Sequence, residues 1–264
     1  MKALCKILFV YDHEKPEYWM DGLSEALKLL EKKYDITYWN LRTKFHRAHG
    51  YQDFYLGWGA FGSSVDRWLQ PVSSKKGLCI AGNTNPPTGA DNYDVLFYET
   101  KWYREQIKFH PNIVQAFGVN KTIYKPIWKT KIFDYLGAGC LAKWKRWDKM
   151  LNKEGKRIVI GDYQRNNEAE SSEIALSLLK GGVIVSDQMS PTDLVEFMNM
   201  AHTIYVPSDI YGGGERLVLE AKACGLKVEV EDDNPKLKEL VDLEVVPDQV
   251  FYAERLIEGI ESVL

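Results

Sequence analysis

Short apolar runs rich in β-branched and aromatic residues alternate with amphipathic stretches along almost the whole of this 264-residue chain. The alternation begins with KILFVY (6–11) and continues into EYWMDGLSEALKLLEKK, where Leu23, Leu27 and Leu30 recur at helical spacing. ITYWNL, DFYLGW, GLCIAG, YDVLFYE and IVQAFG read as further strands, with helices at SVDRWLQ and KWYREQIKF between them. After the Pro-flanked segment YKPIWKT the cycle starts again. Strands are expected at 131–137, 157–161, 183–186 and 203–207, with helices at 146–153, 169–180, 191–201 and 215–224. LKVEV and a last helix, PDQVFYAERLIEGIESV, close the set. Two successive β/α series predict two parallel sheets, each covered by helices, with ligands bound at the carboxyl ends of the strands.

A chain of this length buries roughly 70–75% of its unfolded surface, so the fold requires no disulfide or metal staple. Cys5, Cys79, Cys140 and Cys224 form no C-x-x-C pair and read as small apolar residues of a reducing compartment. The start MKALCKILFVYDHE reads as a first strand, not a signal peptide, and no stretch approaches the ~20 apolar residues of a membrane helix. A cytoplasmic enzyme is the expectation. The net charge of -3 argues against a protein dedicated to coating nucleic acid.

Two glycine-rich loops compete for a phosphate. Gly57, Gly59 and Gly62 in GWGAFG satisfy G-x-G-x-x-G, but no acidic residue stands about 20 positions on to hold a ribose. A tight strand-to-helix turn fits that motif better. The second loop, Tyr211-Gly212-Gly213-Gly214, lies between the strand HTIYVPSD and a helix starting near Glu215. Glycine admits a ligand close to the backbone, and a helix start presents unsatisfied N–H donors with a partial positive charge. Glu220, one to two turns on, is placed to accept two hydrogen bonds from a vicinal diol such as a ribose.

PSDIYGGGERLVLEAKACGLKV resembles the "PS…E-G-F-G-x-x-x-x-E-A-x-A-x-G-x-P-V" signature of GT-B glycosyltransferases, closest to the retaining family 4. AFGVNKTIYKP, LGAGCLAKWKRWD and VIVSDQMSPTDLVEFMNMAHTIYVPS resemble three further segments of that family, in the same order. The resemblance implies an α/β GT-B fold of two Rossmann-like β/α/β domains facing across a cleft. The expected boundaries are 1–125 for the acceptor side, 126–246 for the nucleotide-sugar side, and 247–264 for a helix crossing back. Position by position, Lys145 takes the place of the lysine on the donor diphosphate, and Glu220 that of the glutamate on the donor ribose. Gly212, Gly213, Gly214 and Glu215 take the place of the turn whose amides contact the donor sugar. The family's arginine is replaced by Cys140, for which Arg146 or Lys143 are the candidate substitutes. The first glutamate of its E-x7-E pair is replaced by Gly212, with Glu215 as a partial substitute.

The resemblance implies retention at the anomeric carbon, no metal and no cofactor, with a nucleotide-diphosphate sugar as donor. The family's N-terminal histidine has no match: the corresponding strand ends at Asn83, a candidate for a sugar hydroxyl, and His13 after the first strand is the other candidate. His110 and His202 read as structural. The stretch LRTKFHRAHGYQ, with His46 and His49, reads as a solvated loop or a contact for an acceptor phosphate or lipid surface. EDD (231–233) reads as a solvated turn and not a D-x-D metal site. The acceptor is expected to be a glycan, a lipid-linked molecule or a small molecule, with no nucleic acid and no transmembrane segment. Alternatives are an inactive nucleotide-sugar-binding module, a sugar-nucleotide epimerase on the same fold, and a nucleic-acid binder using KWKRW and LRTKFHR.

Overall fold

The structure, a computed structural model, describes residues 4–13, 21–43, 50–81, 87–163 and 167–264. The chain divides into two compact units, Met1–Gly118 with Pro247–Leu264, and Val119–Val246. The break falls ahead of YKPIWKT and not at 125/126, because this segment is tied to the second unit. Tyr124 is buried there, and Asn199 accepts from the Ile127 amide (3.0 Å) and donates to the Lys125 carbonyl (3.4 Å).

The first unit holds six parallel strands: β1 (Lys6–Tyr11), β2 (Asp35–Asn40), β3 (Phe54–Gly59), β4 (Lys75–Ile80), β5 (Val95–Tyr98) and β6 (Ile113–Gln115). Their order across the sheet is β2-β1-β3-β4-β5-β6. Alternation along β1 divides its side chains between two faces, as the pleat requires. Ile7 and Phe9 share a core with Leu23, Leu27 and Leu30 of α1 (Asp21–Leu30) and with Tyr252, Leu256 and Ile260 of the last helix. Leu8 and Val10 pack with Val65 and Leu69 of α2 (Ser64–Leu69) and Tyr103 and Ile107 of α3 (Lys101–Ile107). The last helix, Gln249–Glu261, thus completes the first unit's core. Burial on both faces is why these strands are nearly continuous apolar runs.

The second unit has five parallel strands, β7 (Phe133–Cys140), β8 (Arg157–Asp162), β9 (Ile184–Asp187), β10 (Ala201–Val206) and β11 (Lys227–Val230), in the order β11-β10-β7-β8-β9. Its helices are α4 (Glu168–Lys180), α5 (Pro191–Asn199), α6 (Glu215–Ala223) and α7 (Pro235–Val241), so the last helix of the first unit is α8. Where a helix was expected at 146–153 the chain forms two short 3-10 turns, Lys143–Lys145 and Trp147–Asn152. Arg146 stands between them at φ 50, the one described non-glycine residue with positive φ. Among the described residues no helix is long and apolar enough to cross a membrane.

Candidate functional site

In the second sheet β7 is flanked by β8 and β10, so the connections leaving β7 and β10 diverge. A divergence of this kind opens a crevice outside the carboxyl ends of the two strands. The segments that line it are KWKRW after β7 and the glycine loop after β10, and their backbones touch. The Asp209 amide donates to the Trp144 carbonyl at 3.0 Å, and a Cβ on Gly212 would stand 2.4 Å from the same oxygen. Any side chain at 212 would force the two segments apart, which explains glycine at a position where the family motif has glutamate.

KWKRW is anchored at both sides of Lys145. Trp147 is buried among Leu141, Met150, Val159 and Tyr205, and its indole N–H donates to the Cys140 carbonyl at 2.9 Å. Arg146 makes a bidentate pair with Asp233 (2.6 and 2.8 Å) and donates to the carbonyls of Pro207 (2.6 Å) and Ser208 (2.9 Å). A planar guanidinium spent in this way is a strut between loops. The expectation that Arg146 replaces a phosphate-binding arginine therefore meets a geometric obstacle: four of its donor contacts already go to protein. Asn234 holds the same segment from the other side, donating to the Ser208 and Asp209 carbonyls at 3.0 and 2.9 Å. The EDD run is a solvated turn, as its sequence suggests, with Asp232 and Asp233 exposed, but its carboxylates are paired. Glu231 pairs with Lys149 and accepts from the Tyr205 hydroxyl, Asp232 pairs with Lys238, and Asp233 holds Arg146.

Lys145 is half-buried, and its Nζ lies 3.7 Å from where a Cβ on Gly213 would stand. Among the described residues its ammonium has no ion-pair or hydrogen-bond partner. Burial pushes its pKa below the ordinary lysine value; Cys140 and Glu215 oppose this, and the more weakly acting cations Lys236 and Arg216 add to it. An ammonium held where it is disfavoured, beside a glycine loop at a helix start, has the chemistry to bind an anion. Lys143, the other candidate substitute, is exposed and pairs with Glu170.

The glycine loop leads into α6 at Gly214, which takes φ 118 and supplies no side-chain cap. A Cβ there would also stand 2.7 Å from a Val206 methyl. Gly214→Ala is expected to cost about 1–3 kcal/mol, the usual range for backbone strain of this kind. Urea denaturation measures it, and wild-type stability would contradict the assignment. Beneath the loop the fully buried Ser208 hydroxyl has no hydrogen-bond partner among the described residues, and it lies 3.4 Å from the Gly214 Cβ position.

Both carboxylates of α6 are buried and paired. Glu215 meets Lys236 of α7 at 2.7 Å, and Lys236 is 0% exposed. Burial alone would raise the Glu215 carboxyl, but the Lys236 charge and hydrogen bond, with its own amide and Lys145, hold it below the ordinary value. Glu220 is 1% exposed and pairs with Arg216 one turn earlier, Nε to Oε1 2.7 Å. The second unit thus brings together Lys145, Gly212, Gly213, Gly214, Glu215 and Glu220. It adds Lys236 and Arg216, which sequence reading missed. The spacing of Arg216 and Glu220, four apart on one helix, was the available signal for the second; Lys236 gave none.

The remaining candidates belong to the first unit. His13 sits just past β1, with its ring 6.4 Å from that of Trp58 and its carbonyl accepting from Asn40 at 2.7 Å. Asn83, His46 and His49 lie outside the described residues. His110 is structural, both ring nitrogens lying 2.9 Å from backbone carbonyls. The GWGAFG turn carries its own anion: the buried Asp66 carboxylate accepts from the Gly62 amide at 2.8 Å, and Ser63 caps α2. The Gly62 and Asp66 amides are therefore already engaged within the turn.

No protein-family model matches the chain, and no curated protein matches it in sequence. Solved structures do. Sucrose-phosphate synthase from Thermosynechococcus elongatus superposes with TM-score 0.69 at 13% identity, over 98% of this chain and 89% of that one. Anabaena HepE, in complex with UDP and glucose, gives 0.64 at 12% identity, over 97% and 90%. AviGT4, a glycosyltransferase involved in avilamycin A biosynthesis, gives 0.64 at 11% identity, over 98% of both chains. At such identities the likeness speaks to the fold, and the chain has the α/β fold of GT-B proteins, with two parallel-sheet Rossmann-like domains.

Proposed function

We propose that this chain is a glycosyltransferase that moves a sugar from a nucleotide-diphosphate sugar to an acceptor hydroxyl, with retention at the anomeric carbon and without a metal ion. The observation that carries the reading is Lys145, a half-buried ammonium with no partner among the described residues, set over the glycine loop at the start of α6. Departure of a nucleoside diphosphate develops negative charge, and a fixed cation beside backbone N–H donors stabilises it without reorganisation. The Glu220 carboxylate, one to two turns below, is the acceptor for the ribose diol. Positive charge supplied by side chains is why the proposal includes no metal. The acceptor class, whether glycan, lipid-linked or small molecule, is left to loops of the first unit.

The test is a thermal-shift panel of UDP-, GDP-, ADP- and dTDP-sugars, followed by nucleotide release. One donor is expected to raise Tm and to be hydrolysed slowly, the first-formed sugar keeping the donor's anomeric configuration, with no change on adding EDTA. Stabilisation by none of the four would contradict the reading. A second reading, a binding module without catalysis, draws support from Arg146, whose guanidinium is already engaged. Binding without any release of nucleotide would favour it.

A further inference from the structure

We propose that Arg216 and Glu220 form an exchangeable ion pair: a bound nucleoside diphosphate takes its ribose diol to Glu220 and its phosphate oxygens to Arg216, beside Lys145. The proposal rests on the nucleotide-sugar reading and adds a phosphate ligand and an order of events to it.

Three observations converge. The first is the direction of the pair. Arg216 is the second residue of α6 and Glu220 follows one turn later. For helix stability alone this order is the poorer one, since the cation stands at the positive end of the dipole and the carboxylate away from it. An anion arriving at the helix start reverses that penalty. The second is exposure. Glu220 is 1% exposed whereas the Arg216 side chain is 32% exposed, with its Nη1 buried, so the solvent-facing part of the pair belongs to the arginine. A diol reaches Glu220 only when the guanidinium swings aside, and the nearest anion for it is then the same ligand's phosphate.

The third is the charge balance around the loop. Lys145, Lys236 and Arg216 face two carboxylates, Glu215 and Glu220. Lys236 is fully buried against Glu215 and is not available. Lys145 alone would leave a diphosphate, with two or more negative charges, incompletely matched. Arg216 is the remaining cation of the group, and its fork suits two phosphate oxygens at once. Each side of the exchange replaces one charge-assisted contact with another, so in the complex Arg216 stays paired and the Glu220 carboxylate stays hydrogen-bonded.

Titration calorimetry on the full chain tests this, using UDP, GDP, ADP and dTDP together with the matching nucleosides. For the base that the wild type prefers, Arg216→Met is expected to weaken the diphosphate about 10–100-fold while leaving the nucleoside within about threefold of wild type, as for a lost charge-assisted contact. Arg216→Lys, which keeps the charge and loses the fork, is expected to fall between. Retained nucleoside binding guards against a folding defect; the Arg216→Met/Glu220→Gln double variant removes the uncovered carboxylate as well and is expected to lose both ligands. Wild-type diphosphate affinity in Arg216→Met, or equal losses for nucleoside and diphosphate, would overturn the exchange alone. Absence of binding to all four diphosphates by the wild type would overturn the glycosyltransferase reading and the exchange with it.

Discussion

Lys236→Met is expected to destabilise the C-terminal unit by roughly 3–5 kcal/mol, the cost of leaving one partner of a buried pair uncompensated. Lys236 is 0% exposed, Glu215 is 5% exposed, and their charged atoms are 2.7 Å apart. Methionine fills most of the lysine's volume but cannot answer the carboxylate. The Glu215→Met/Lys236→Met double variant is expected to recover most of the loss, since replacing both partners of a buried pair by apolar groups is often neutral. The pair also sets an acid limit. Because the folded Glu215 pKa is depressed, its contribution is present above the unfolded carboxylate value, about 4.3, and disappears as pH falls through the folded value. Urea denaturation at neutral pH gives the number. A loss under about 0.5 kcal/mol in the single variant would show that the pair is not the anchor between α6 and α7.

Lys145→Met is expected to act in opposite directions on function and stability. Diphosphate affinity should fall by about 10–100-fold and turnover by about 10²–10³-fold, the range for removing one preorganised group from a developing charge. Stability should stay level or rise slightly, since the variant removes a half-buried cation that burial disfavours. The same depressed pKa gives a pH signature. Affinity for the diphosphate should decline on the alkaline side before an ordinary lysine, near 10.4, would lose its proton. Unchanged affinity with reduced stability would make Lys145 a structural residue and remove the basis of the functional reading.

Much of this architecture is legible in the residues themselves, because strands buried on both faces must be apolar runs and helices between them must be amphipathic. The YGGG loop, Lys145 and Glu220 are legible for a second reason: motif spacing on either side of a strand end survives where overall similarity has faded. Contacts between distant segments are not. Arg146 and Asp233 are 87 positions apart, so nothing in KWKRW or in the solvated EDD turn announces the strut between them. Lys236 in PKLKELV sits at a helix start where lysine is ordinarily solvated, and only α6 packing over it makes it a core residue. The GWGAFG motif illustrates the converse, a pattern whose Gly62 amide is already bonded to the chain's own Asp66.

Amide hydrogen exchange on the full chain, with and without the preferred nucleoside diphosphate, locates the ligand most directly. Protection is expected across 143–146 and 209–221, the two loops that carry Lys145, the glycine turn and Glu220. Protection confined to 54–69, around GWGAFG, or no change in either C-terminal loop at saturating ligand, would contradict it.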